Sequence, residues 1–129
     1  MRNLCCMIAM GVALAGPASA ALSDETSINA RLQVVATADA IRKGCSAIEP
    51  RMVRAYAYLR RTARDAQGLG YSRDAIEAYV EDDAAKAVIE GRAREWLAAN
   101  GGLDEAGLCA RGRAEIAGGT EIGKLLKAR

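Results

Sequence analysis

Residues 104–113 read DEAGLCARGR, a cysteine set inside a short, polar, helix-forming run. What Cys109 is for decides how the rest of the chain folds. Asp104 is placed to cap a helix that carries Leu108, Cys109 and Ile116. Cys109, Gly112 and Ile116 stand at i, i+3 and i+7, so they share one face. Gly112 costs that helix about 1 kcal/mol against alanine. A glycine one turn from a cross-link lets a second helix come close. The expectation is a thiol on an inward face, one turn from a point of close approach.

The other cysteines are Cys5, Cys6 and Cys45. The first twenty residues, MRNLCCMIAMGVALAGPASA, have the layout of a secretory signal peptide. Arg2 supplies the positive start and Leu4 to Leu14 the apolar run. Gly16-Pro17 breaks that run, and Ala18-Ser19-Ala20 supplies the small-x-small cleavage signature. The run is shorter than the roughly 20 apolar residues of a membrane span. Neither Cys5 nor Cys6 stands where a lipoprotein site requires one. Residues 1–20 are therefore read as a signal peptide and residues 21–129 as a single helical domain, exported to a bacterial periplasm with no stable membrane anchor.

Cleavage leaves two cysteines, Cys45 and Cys109, in an oxidising compartment, where pairing is the rule. A bridge between them closes a loop of about 65 residues, worth roughly 4 kcal/mol in the chain-entropy treatment. The chain has no Phe and one Trp, so few large side chains are available to bury and a cross-link matters the more. The rival readings have less behind them. Zinc needs four ligands, and the chain offers two thiols and no His. Redox centres usually show C-x-x-C spacing. A free thiol pair and an intermolecular bridge complete the alternatives.

Almost everything after residue 22 has helical spacing, and no stretch alternates as a strand does. A first helix is expected from about Thr26 to Lys43, stopped at Gly44. It carries one stripe of Ile28, Leu32 and Val35 and a second of Val34, Ala38 and Ile41 that leads to Cys45. Pro50 suits the first position of a second helix. Its apolar face is Met52, Tyr56, Leu59, Ala63 and Ala66, with Arg54, Arg60, Arg61 and Arg64 on the other side. Gly68 and Gly70 end it. Ser72 caps a third helix, with Tyr71 and Ile76 as a hydrophobic staple and Ile76, Tyr79 and Val80 facing inward. Asp82 or Asp83 caps a fourth, unless the third and fourth run on as one. That helix carries Ala85, Ile89, Ala93 and Trp96, and Asn100-Gly101-Gly102 stops it. Gly118-Gly119 ends the Cys109 helix, and Thr120 caps a last short one with Ile122, Leu125 and Leu126. The fold class is all-α: a small compact bundle of four to six short helices with one disulfide.

The absence of His removes the usual general base near neutral pH and the commonest metal ligand. It also excludes Ser-His-Asp and Cys-His arrangements. There is no phosphate loop. Glu81-Asp82-Asp83 lacks the alternating oxygens and central glycine of a calcium loop, so capping is the better account. Sixteen acidic residues allow many carboxylate pairs in space, and nothing in the sequence selects one. No catalytic residue, cofactor or metal is assigned. Charge is segregated: Glu49–Ala66 is rich in Arg and Asp74–Glu90 in acids. Either the two segments neutralise one another or one of them is a docking face. Nucleic acid is a poor partner for an exported chain of near-zero net charge. The ending IGKLLKAR could touch an anionic membrane only weakly, and a terminal packing helix is the simpler reading.

The chain resembles a small family of exported alphaproteobacterial proteins known only as a domain of unknown function. The resemblance is carried by Cys45, LGYSRDAIEAYVED, WLAANG, LCARGRAEI around Cys109, and GTEIGKLL, and covers most of residues 21–129. It implies no activity and transfers no catalytic residue. A looser likeness, one of size, helicity and a single disulfide, is to periplasmic acid-stress chaperones. The functional expectation is a non-enzymatic module that binds an unidentified envelope protein, of the inhibitor or immunity kind. The alternatives are an acid-stress chaperone and a hydrolase of envelope material. Partner, trigger and oligomeric state are not legible.

Overall fold

A computed structural model describes residues 22–129, and the expected signal peptide, residues 1–20, lies outside them. The first helix, α1 (Thr26–Gly44), is the axis of the fold. From Arg31 to Ile41 none of its residues is fully exposed, though most are only half-buried. Its two apolar stripes pack against neighbours on different sides of the helix. Arg42 and Lys43 sit in its last turn, where the dipole favours cations, and both pair with Asp39 at 2.6 Å.

Around α1 run β1 (Ile48–Pro50), α2 (Met52–Gly68), α3 (Arg73–Glu81), α4 (Asp83–Ala99), α5 (Glu105–Gly118), α6 (Glu121–Lys124) and β2 (Leu126–Ala128). These are six helices among the described residues, as the sequence pattern predicts. Ser72, Asp82, Asp104 and Thr120 each cap the helix that follows, accepting from the backbone N–H three residues on at 2.8–3.1 Å. Asp82 settles the continuity of the third and fourth helices. Its extended backbone (φ −68°, ψ 122°) ends α3 while its carboxylate starts α4.

The strands correct the sequence expectation. Ile48–Pro50 pairs antiparallel with Leu126–Ala128, with Glu49 opposite Lys127. The expected last helix is one turn long, and IGKLLKAR leaves it as a strand. Pro50 is the end of β1, not the start of a helix, and α2 begins at Met52. A two-stranded sheet consists only of edges, which is where proline is tolerated. Three-residue strands are too short to show alternation, so nothing local announced them.

The core has two centres, one towards each end of α1. The larger gathers Ala38, Ile41, Cys45, Ile48, Leu97, Leu108, Cys109, Leu125 and Leu126. The smaller gathers Leu22, Ile28, Ala66 and Tyr79, with Tyr71 and Ile76 of the expected staple packed against it. Cys45 and Cys109 meet at disulfide distance in the larger centre, with Cα atoms 5.2 Å apart. Gly112 is the point of close approach: a Cβ there would stand 2.3 Å from Ile48 Cδ1 and 2.8 Å from Ile41 Cγ2. The face expected of α2 is only partly buried. Thr62 and Ala66 are buried, whereas Met52 and Tyr56 are 53% and 62% exposed. Val80, expected inward, is also exposed.

Candidate binding face

The two core centres leave α2 spanning the gap between them. Its contact with the rest of the fold is made through small residues. Thr62 is buried and its hydroxyl donates to the Tyr58 carbonyl at 3.0 Å, so it costs no unmet polar group. Alanine and threonine bring α2 close to α1 but cannot fill the space on either side of the contact. With no Phe in the chain, nothing else fills it.

The result is an open apolar groove in two lobes. One, about 300 Å³, lies between α1, α2 and the C-terminal turn, lined by Val35, Ala38, Met52, Tyr56, Leu59 and Leu126 among others. The other, about 350 Å³, lies between α1, α2 and α3, lined by Leu32, Tyr56, Leu59, Ala63, Ile76 and Val80 among others. Tyr56 and Leu59 line both, so the lobes meet along α2. Val53 stands beside them, 84% exposed.

The α2 edge of the groove is basic at one place, where Arg60 lines it and Arg64 stands beside Arg60, whereas Arg54 and Arg61 lie on the other side of the helix and Glu77 lines the facing wall. Arg54, Arg60, Arg61 and Arg64 are exposed, and among the described residues none of them forms an ion pair. The nearby carboxylates are engaged elsewhere. Asp65 pairs with Arg31. Glu49 pairs with Lys127 at 2.9 Å and lies 3.8 Å from Arg129. Glu77 meets Arg73 at 3.6 Å. Among the described residues no ion pair joins the Arg-rich segment to the acidic one, although Glu77 lines a common hollow with Arg60 and Arg64. Tyr58 holds α2 to α6 by donating to Glu121 at 3.4 Å. Burial first, and the Glu121 carboxylate second, push its phenol up from the ordinary 10.0.

The acids singled out in the sequence have structural places. Asp82 caps α4, and Asp83 lies 3.6 Å from Lys86. Among the described residues no group of three or more His, Cys, Asp or Glu side chains is placed to hold a metal ion. Glu115 is the one buried carboxylate among them, and it is satisfied. Arg111 pairs with it at 3.1 Å, and the Thr120 hydroxyl donates to it. Arg111 also lies over the Trp96 ring, 5.8 Å from its centre, so this cluster locks α4, α5 and α6 together. No helix among the described residues is long and apolar enough to cross a membrane.

Tyr56 and Met52 are the groove residues that the sequence pattern assigned to a core. An apolar stripe at helical spacing looks the same whether it faces a core or a partner.

Fold and face together define a small all-α domain with one cysteine pair and an open apolar groove edged by Arg60 and Arg64. Residues 20–127 match DUF5333, a family of unknown function, and the chain belongs to that family. No curated protein and no solved structure matches it.

Proposed function

We propose that the chain is an exported, non-enzymatic binding module of the bacterial envelope, acting through the α2 groove on another envelope protein. The observation that carries this reading is the exposure of Tyr56, Met52 and Val53 beside an unfilled apolar groove. Exposed aromatic and aliphatic side chains gathered at a concave surface are what a protein partner covers. Export rests on the first twenty residues and on the cysteine pair, which persists in an oxidising compartment. Each lobe of the groove carries one carboxylate, Asp39 in one and Glu77 in the other, and each is held in an ion pair. That arrangement supports binding over acid–base hydrolysis, which needs two carboxylates converging on one bond.

The test is a photo-reactive amino acid placed at Val53 or Tyr56 in the full-length chain, expressed in its native host. Irradiation is expected to give one discrete protein adduct from these positions and none from exposed Ala98 on α4. Equal adducts from both faces, or none from α2, would end the reading.

A second reading, an acid-stress chaperone, is favoured by one observation. The contact between β1 and β2 ends on a carboxylate, Glu49, that Lys127 holds in its ionised form. Acid would release it. That reading expects loss of the near-ultraviolet dichroism of Trp96 and the tyrosines near pH 3, with protection of a client protein from aggregation. An unchanged spectrum there would eliminate it.

A further inference from the structure

The groove has a shape and a charge that specify more than a generic partner. We infer that its occupant is an acidic amphipathic helix presented by another protein, laid along α2 with apolar side chains in the two lobes and carboxylates against Arg60 and Arg64 at the edge of the groove. This rests on the binding-module reading above and names the partner's chemistry.

Three observations carry it. The walls of the groove are mainly helices: the sheet contributes only Pro50, which has no N–H to donate, and Leu126, both at one lobe, so a helix laid along α2 fits the groove better than an added strand. The lobes follow one another along α2 from Met52 to Ala66, a length of about 21 Å, which a partner helix of roughly 14 residues matches. Arg60 and Arg64 have no ion-pair partner among the described residues, and Glu77 beside them is already paired with Arg73. Carboxylates on an incoming segment would meet both cations there.

A second copy of the chain does not meet this description. Docking rim against rim would set the arginines of one copy against those of the other. The acidic surface of α3 and α4 offers only Val80 and Val88 as exposed large apolar residues, too little to fill two lobes. A flat lipid surface would leave the concave lobes empty.

The experiment pans a displayed library of random peptides about 16 residues long against the purified chain. The enriched sequences are expected to carry net negative charge and apolar residues at i, i+4 and i+7. A representative peptide should bind roughly tenfold more tightly than the same peptide with its acids changed to lysine, a gap that narrows at high salt. Arg60→Glu with Arg64→Glu should abolish the gap. Tyr56→Ala should weaken both peptides alike. All three positions are exposed, and an unchanged helical dichroism spectrum checks that the variants fold. Enrichment of neutral or basic peptides, or no enrichment, would overturn the inference. So would a dimer that Tyr56→Ala dissociates, or binding to phosphatidylglycerol vesicles that the double arginine variant loses. A photo-adduct at Val53 whose contact segment is neutral or extended would sink this inference and leave the binding module standing. No adduct at α2 would remove both.

Discussion

Asn29 shows how much a single side chain organises here. It is buried on α1, and its amide donates to the carbonyls of Leu22, Ser23 and Glu25 at 2.8–3.2 Å, tying the segment before α1 to the helix. Its carbonyl oxygen accepts from the Tyr79 hydroxyl at 2.5 Å, which brings α3 onto the same point. Tyr79→Phe keeps the ring and strands that oxygen, so it should cost about 1–3 kcal/mol in urea denaturation. A loss below measurement error would mean that water replaces the hydroxyl. Two glycines make a sharper comparison. A Cβ at Gly112 would meet the far end of Ile48, which can give way, and Ile41 Cγ2 on a stiff, buried side chain, while alanine regains about 1 kcal/mol of helix propensity. A Cβ at Gly123 would stand 1.9 Å from the Glu115 carbonyl oxygen and 2.7 Å from the Ile116 nitrogen, both backbone. Backbone must then move, so Gly123→Ala should cost about 3 kcal/mol or more and Gly112→Ala distinctly less. The reverse order of denaturation midpoints would contradict this packing.

Among the elements, the β1–β2 pair depends most on charge. Lys127, through its hydrogen bond and then its charge, and Arg129 beyond it, hold the Glu49 carboxyl below its ordinary 4.5. Folding therefore favours the ionised form. The contribution is fully present above 4.5 and drains away as the pH falls through the lower folded value. Glu49→Gln should lower Tm slightly near neutral pH, by an amount that stays constant down to about pH 5 and closes in stronger acid. A deficit that is the same at every pH would show that the ion pair is not what Glu49 supplies. The capped helices were legible in the sequence because a cap acts within four residues of itself, as Ser72, Asp82, Asp104 and Thr120 do. The strands were not, because Pro50 acquires its role only from Leu126, far along the chain.

For the whole molecule, the decisive constraint is the cysteine pair, which ties the end of α1 to the middle of α5 across a sequence separation of 64. Replacing both with alanine should remove about 4 kcal/mol. That is a large share of the roughly 5–15 kcal/mol that holds a typical domain together. Thermal unfolding of the variant and the wild type measures the loss. Purified without reductant and then denatured, the processed chain (residues 21–129) should take up no thiol-alkylating probe. Uptake of two equivalents at Cys45 and Cys109 would remove the cross-link and the oxidising address proposed with it.

Helices, their caps and their glycine stops were decided by the sequence alone, since each depends on neighbours within a few residues. That Cys45 and Cys109 meet was an expectation, and only the tertiary structure brings them to disulfide distance. Only the tertiary structure decided which apolar faces are covered. Met52, Tyr56 and Val80 lie on stripes as regular as that of Val34, Ala38 and Ile41, yet that α1 stripe is packed against neighbours and the groove beside α2 stays open. Periodicity states that a face would gain by leaving water. It carries no information about what stands opposite, and in this molecule small residues at the contact and the lack of large ones beside it leave that place empty.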